Sequence, residues 1–267
     1  MSSVPTISPA DRRLPRTWDA AKAAWIDVYR VFTSLPGVWR IALAINVGLY
    51  ILRVPLTDGN ARNTFGPLLL QFLIGGVSAF LLTPYSIAVH RLIILDDVAP
   101  SYTLRPRQLR FKKFFSWSLF LWACVGVFEV VFTLLFGFLL LLSGGGAFFI
   151  SIFVFPAFIF IFSFILCWAM ARLSILFPAI AVDAAGASWR NVMSDTRGYA
   201  WQIFLIALLA SLPFVPVGIA LWFSVGHGTV AAVTDGVLGI ISITLFVVIA
   251  SRLYQRLGNN VNQSRAV

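Results

Sequence analysis

Apolar residues fill long unbroken runs along this chain, and charged residues are confined almost wholly to the connections between them. Six runs stand near the ~20 residues a helix needs to cross a hydrocarbon core of ~30 Å. They extend from about Val38 to Val54, Gly66 to Val89, Phe114 to Leu142, Phe148 to Ala171, Ala200 to Phe223 and Thr229 to Ala250. The pattern predicts an all-α integral membrane helical bundle with six transmembrane helices. Uncharged glycine-containing reversals, Ser143 to Gly146 and Val225 to Gly228, follow the third and fifth runs and suit tight turns.

Ahead of the first run, Trp18, Trp25, Val28, Tyr29 and Phe32 recur at helical spacing between Thr17 and Leu35, while Asp19, Lys22, Asp27 and Arg30 occupy other faces. Such a helix either lies in the membrane interface or packs on the protein itself, since both arrangements bury the same stripe. Residues 1–16 are rich in Pro, Ser and Arg and read as a disordered tail. The first apolar run begins too late for a cleavable signal, so the first span is expected to be retained. The expected organisation is a tail and amphipathic helix over 1–37, a six-span membrane domain over 38–253 and a tail over 254–267.

The inner ends of the even-numbered runs share a dipeptide: Arg91-Leu92, Arg172-Leu173 and Arg252-Leu253, spaced 81 and 80 residues apart. RLIIL from Arg91 matches RLSIL from Arg172, and an acidic residue follows each, Asp96 and Asp183. Odd-numbered runs are entered through Trp39, Trp117 and Trp201. Positive-inside topology accounts for the residue types but not for the equal spacing. The pattern predicts three parallel units, 17–97, 98–183 and 184–256, each an interfacial helix followed by a transmembrane hairpin.

Composition agrees: 60% of residues are hydrophobic and 11% charged, against about 25% charged in soluble domains. The net charge of +10 raises the question of nucleic acid, but the bases are scattered between apolar runs and form no stripe. Of the twenty Lys and Arg residues, all but Arg53 and Arg62 fall on the side that carries the termini. By the positive-inside rule that side is cytoplasmic.

The segments Ala88 to Asp97 (AVHRLIILDD), Ala171 to Asp183 (ARLSILFPAIAVD) and Ser188 to Phe204 (SWRNVMSDTRGYAWQIF) resemble a group of bacterial inner-membrane proteins of unassigned function. That group is similar to the multi-span membrane domain attached to some glycerophosphodiester phosphodiesterases. The resemblance covers a minority of the chain. It implies a scaffold of helical hairpins in the bacterial inner (cytoplasmic) membrane and lends no catalytic residue, because in those enzymes a separate soluble domain performs the chemistry.

Glu129, near the middle of the third run, is the outstanding intramembrane polar residue, with Asn46 and Gln71 as its candidate partners. Ionisable groups in lipid cost at least ~2.5 kcal/mol when charged and are by default functional; a neutral Glu bonded to Asn46, Gln71 or a carbonyl is the structural alternative. Asp235 reads as a solvated carboxylate, His90 and His227 as boundary residues, and Cys124 and Cys167 as small apolar groups. Pro84, Pro156, Pro213 and Pro216 are expected to kink their helices; in the segment Ser211 to Gly218 a broken helix of the kind that lines transporter sites is the alternative to the commoner kinked structural helix. A nucleophile elbow, an HExxH zinc site and a phosphate-cradling GxxxxGK are all missing from the sequence, and nothing calls for a metal or cofactor.

The leading expectation is a non-enzymatic scaffold or partner subunit acting through its basic cytoplasmic face. The candidate motif there is Arg91, Arg172, Asp183, Trp189, Arg190, Arg197, Trp201 and Arg252. Arg105, Arg107, Arg110, Lys112 and Lys113 are candidate contacts to lipid headgroups, each base being worth ~1 kcal/mol near an anionic surface. Membrane lipids and a protein are the expected partners. The alternative is a small transporter or lipid-handling permease built on Glu129.

Overall fold

The computed structural model describes residues 14–57, 65–143, 164–165, 168–224 and 228–262, and these contain helix and no strand. In chain order the helices are α1 (Thr17–Ser34), α2 (Pro36–Thr57), α3 (Phe65–Leu95), α4 (Leu109–Ser143), α5 (Leu176–Ala181), α6 (Trp189–Asp195), α7 (Ala200–Ser211), α8 (Phe214–Ser224) and α9 (Thr229–Leu257). Four of them, α2, α3, α4 and α9, are long and apolar enough to cross a membrane. α7 and α8 make a fifth if the pair, bent by 46°, counts as one span. The expected fourth span lies outside the described residues except for 164–165 and 168–171, as do the tail residues 1–13 and 263–267.

The two helices nearest the start are separated by a single residue. Leu35 caps α1 with φ −120° and ψ 48°, outside the helical region, because the ring of Pro36 excludes that conformation from the residue before it. Pro36 is then the first residue of α2, where its missing N–H has no helical partner to lose. At the other proline positions the outcomes differ. α3 runs continuously through Pro84, whereas at Leu212 and Pro213 the chain turns between α7 and α8.

α3 and α9 run parallel and in register, so that pairs about 160 residues apart meet: Tyr85 with Thr244, His90 with Ser251 and Gln255 with Ile93. α2 packs on α9 at its glycines. A Cβ on Gly236 would stand 2.7 Å from Val47 Cα, and one on Gly239 2.8 Å from Asn46 Nδ2. This is the small-residue contact that lets helices approach in lipid, where no hydrophobic force drives them together. On the opposite side of α3, α4 crosses with Trp122 over Gly75 and with Gly126 over Phe72.

Only 17% to 39% of each span's apolar window is buried within the chain, leaving large apolar faces for lipid. Dense packing also lies where the C-terminal ends of α3 and α9 meet α1, α5 and α6. Val31, Ile175, Ala179, Val192 and Val261 there have no exposure. α5, from the run Leu173 to Val182 that is too short to span, buries Leu176, Pro178, Ala179, Ile180 and Ala181. This cap also moves the expected boundaries. α3 continues to Leu95 and α9 to Leu257, past the ends of their apolar runs, since their last turns bury residues such as Leu92 and Leu253 in the cap. Residue 254, expected to begin a tail, is therefore helical, and the turn 258–262 docks on α6.

Candidate functional site at the inner face

α1 settles against α7 and α9 with Ala21, Ala24, Asp27, Val28 and Val31 buried. Its opposite face presents Trp18, Ile26 and Tyr29, which are 54%, 69% and 72% exposed. The Lys22 ammonium lies 5.4 Å from the Trp18 ring centroid on that same face. One helix thus buries one stripe in protein and offers a second of aromatic and cationic composition. Trp25, at the edge between them, donates from Nε1 to the Ala210 carbonyl at 3.1 Å and packs against Phe214.

Among the described residues, ion pairs organise the cap. Arg252 grips Asp27 through two hydrogen bonds, Nε to Oδ2 at 2.6 Å and Nη2 to Oδ1 at 2.8 Å. Arg91 reaches Asp97 at 2.7 Å. Arg30 pairs with Asp96, and Arg110 donates to Asp183 with both Nε, at 3.0 Å, and Nη2. Asp96 and Asp183 stand in the left-handed region, with φ of 55° and 54°, a conformation that Asp tolerates better than most side chains. Each ends its helix with its carboxylate turned to the guanidinium.

Asp195 completes the set from α6, whose N-terminus is capped by Ser188 Oγ accepting from Asn191 N. Its carboxylate accepts from Asn260 N at 3.1 Å, Asn260 Nδ2 at 2.6 Å and Val261 N at 3.1 Å. Segments far apart in the chain are thereby tied together. The ties are Arg30 to Asp96, Arg110 to Asp183, and Asp195 to Asn260, across 66, 73 and 65 residues.

Five of the six described carboxylates on this face are thus engaged, and exposed bases remain, among them Arg105, Arg107, Lys112 and Lys113 around the start of α4, Arg190 and Arg197 beside α6, Arg16 and Lys22 at the start of α1, and Arg40 in α2. Trp189 and Trp201 are exposed among them, 51% and 55%, with Trp201 stacked on Phe204 at 5.4 Å. Arg172 is part-buried instead, donating to the Met193 carbonyl at 2.5 Å with its guanidinium over Trp168. A groove of about 520 Å³ opens between α1, α7 and α9, floored by Ala20, Ala23 and Ala24 and edged by Asp19 and Arg252.

Within the spans, Asn46 does not meet Gln71. Its Nδ2 donates to the Gly236 carbonyl at 2.7 Å, while Gln71 is exposed on α3. Glu129 lies in α4, but its side chain falls outside the described residues, so its expected pairing with either falls outside them too. Asp235 is exposed. His90 is buried, not at a wet boundary, with Nδ1 2.7 Å from Ser251 Oγ. Ser251 gives its own proton to the Val247 carbonyl, so it accepts from His90, and Thr244 likewise donates to Ile240 and accepts from Tyr85. These contacts hold α3 to α9. Among the described residues no group of three His, Cys, Asp or Glu side chains could hold a metal ion.

Sequence reasoning pointed to the arginines and to Asp183 but missed Asp27, Arg30, Asp97 and Asp195. The available signal was the isolated carboxylate in each inner connection, close to a base-rich segment.

The fold and this face define an all-helical protein with four to five apolar helices able to cross a membrane. No protein-family model, curated protein or solved structure matches the chain.

Proposed function

We propose that the chain is a non-enzymatic scaffold or partner subunit of the bacterial inner membrane, with six spans in three hairpin units and both termini cytoplasmic, acting through its basic inner face. The observation that carries this reading is the fate of the carboxylates. With Asp27, Asp96, Asp97 and Asp183 consumed in ion pairs and Asp195 in backbone contacts, the positive charge of the face is left uncompensated, on a rigid cap flanked by exposed Trp189 and Trp201. Such a surface suits anionic headgroups and the acidic surface of a partner protein. The three ties between the start and end of each unit, and the meeting of repeat-equivalent His90 and Ser251, support the three-unit organisation.

The test is co-purification from native membranes with inner-face charge removed. Changing Arg105, Arg107, Lys112 and Lys113 together to Gln should release bound partner and inner-leaflet anionic lipid while the thermal unfolding profile stays that of the parent. High salt should do the same to the parent, because exposed charges are screened beyond ~10 Å at 0.1 M. A parent protein that brings down no stoichiometric partner and retains no lipid would refute it.

A second reading, a small transporter or lipid-handling permease using Glu129, draws on the 46° break between α7 and α8, since broken helices line sites in transporters. Glu129→Gln should then abolish a pH-dependent flux in proteoliposomes; equal flux in variant and parent would reject it.

A further inference from the structure

A second crevice, of about 240 Å³, lies inside the spans, running from Arg53 and Gly75 at one end to Ser86 and Phe114 at the other, where Phe114 packs on His90 and on Phe177 of the cap. Its floor is α3 and its walls are α4 on one side and α2 with α9 on the other. Small side chains create it: Gly75, Ser78, Ala79 and Ser86 on α3 and Ser118 on α4. Along α3, Gly75 and Ser86 are about 16 Å apart, so the crevice is a slot parallel to the helices. The hydroxyls of Thr83, Ser86 and Ser118 are turned back onto the carbonyls of Ala79, Leu82 and Phe114 of their own helices. The slot is therefore only weakly polar along its length.

One end is different. Arg53 lines the crevice, about 25 Å along α2 from Pro36 and hence a few ångströms short of the far boundary of a ~30 Å core. Its guanidinium stands 5.0 Å from the Tyr50 ring, and its Nε is buried with no hydrogen-bond partner among the described residues. A buried donor of a cationic group without an acceptor is costly, and it calls for an acceptor beyond those the described residues supply.

We infer that this crevice is the site of one anionic phospholipid from the far leaflet, its phosphate on Arg53 and one acyl chain in the slot between α3 and α4. The charge selects the headgroup, because a phosphodiester offers the acceptor oxygens that Arg53 Nε lacks, and guanidinium and phosphate match in geometry. The dimensions select the tail: the slot is about 16 Å long between Gly75 and Ser86 and weakly polar, which an acyl chain can fill. Arg53 can reach the phosphate level by extending along its own aliphatic stem. Trp122, whose Nε1 donates to the Phe72 carbonyl at 3.2 Å, forms the wall beside the headgroup end.

Native mass spectrometry of the full chain, reconstituted with defined phosphatidylglycerol and phosphatidylcholine mixtures and then extracted into mild detergent, tests this. The parent should retain one phosphatidylglycerol against excess phosphatidylcholine. Arg53→Gln should weaken that retention about tenfold, and Ser118→Leu, which fills the slot and keeps Arg53, should weaken both lipids. The inner-face quadruple Gln variant should retain this lipid unchanged, so that failure here and failure of the scaffold reading are separate results. Retention by Arg53→Gln equal to the parent, no headgroup preference, or a parent that holds no lipid would each overturn the inference. Should Ser118→Leu fail to fold, Arg53→Gln and Arg53→Lys decide alone, with Lys expected to keep part of the preference.

Discussion

The Asp27–Arg252 pair is asymmetric, and that asymmetry gives a quantitative test of how the cap is held. The Asp27 side chain is 6% exposed and that of Arg252 47%, so the carboxylate has lost its water while the guanidinium has kept about half. Arg252→Gln strands a desolvated carboxylate on α1; breaking a buried pair in this way costs up to ~3–5 kcal/mol, and about 3 kcal/mol is expected here because Gln can still donate one bond. Asp27→Asn leaves a half-exposed guanidinium that water can resolvate and an amide oxygen that still accepts, so about 1–2 kcal/mol is expected. The Asn–Gln double variant should cost less than the sum of the two, since the stranded charge is gone. Hydrogen exchange of α1 amides in detergent, with thermal unfolding as the global control, measures the loss locally. If Asp27→Asn opens α1 as much as or more than Arg252→Gln, the burial argument is wrong.

Three further outcomes are expected. Gly236→Ala should lower stability in detergent by about 2 kcal/mol, because its Cβ would press on the Val47 backbone and break the Asn46 bond to α9, while Gly48→Ala, with nothing within 4 Å, should be tolerated; equal thermal midpoints would refute the close-packed crossing. Asp195→Ala removes acceptors from Asn260 and Val261 and should make the turn 258–262 sensitive to protease with the spans intact, whereas unchanged cleavage would show that Val261 packing alone holds it. Tyr102, in the α3–α4 connection, donates to the Leu81 carbonyl next to the Pro84 turn, and burial raises its hydroxyl above the usual 10.0. Its contribution is whole below pH 10 and fades as pH climbs through the raised folded value, because the unfolded chain releases that proton first. Tyr102→Phe should therefore be less stable at neutral pH yet show a flatter alkaline decline, and parallel alkaline limbs would reject this.

Hydropathy alone located α2, α3, α4, the α7–α8 pair and α9, because lipid demands an unbroken apolar run of set length and tolerates no other solution. The recurrence of Arg-Leu at Arg91, Arg172 and Arg252 was equally plain, yet the three arginines found unlike partners: a carboxylate six residues on, a backbone carbonyl, and Asp27 on α1. Asp27 shows why. On the helical wheel it stands with the polar face of α1, and nothing local marks it as buried; its burial depends on α9 bringing a guanidinium from 225 residues away. The helix ends at Leu95 and Leu257 were not legible for the same reason, since the apolar run stops while the helix continues into a cap whose packing is tertiary.

The sequence by itself determined the solvent, the apolar helices and the surplus of positive charge, all of which follow from composition and period along a single chain. Only the tertiary structure decided which carboxylates cancel which bases, and therefore that Arg105, Arg107, Lys112, Lys113, Arg190 and Arg197 are among the bases left over. It also decided that small residues on two helices and one arginine on a third share a slot within the spans. Pairing and cavity both depend on distances between segments far apart in the chain, and no period or local pattern encodes those distances.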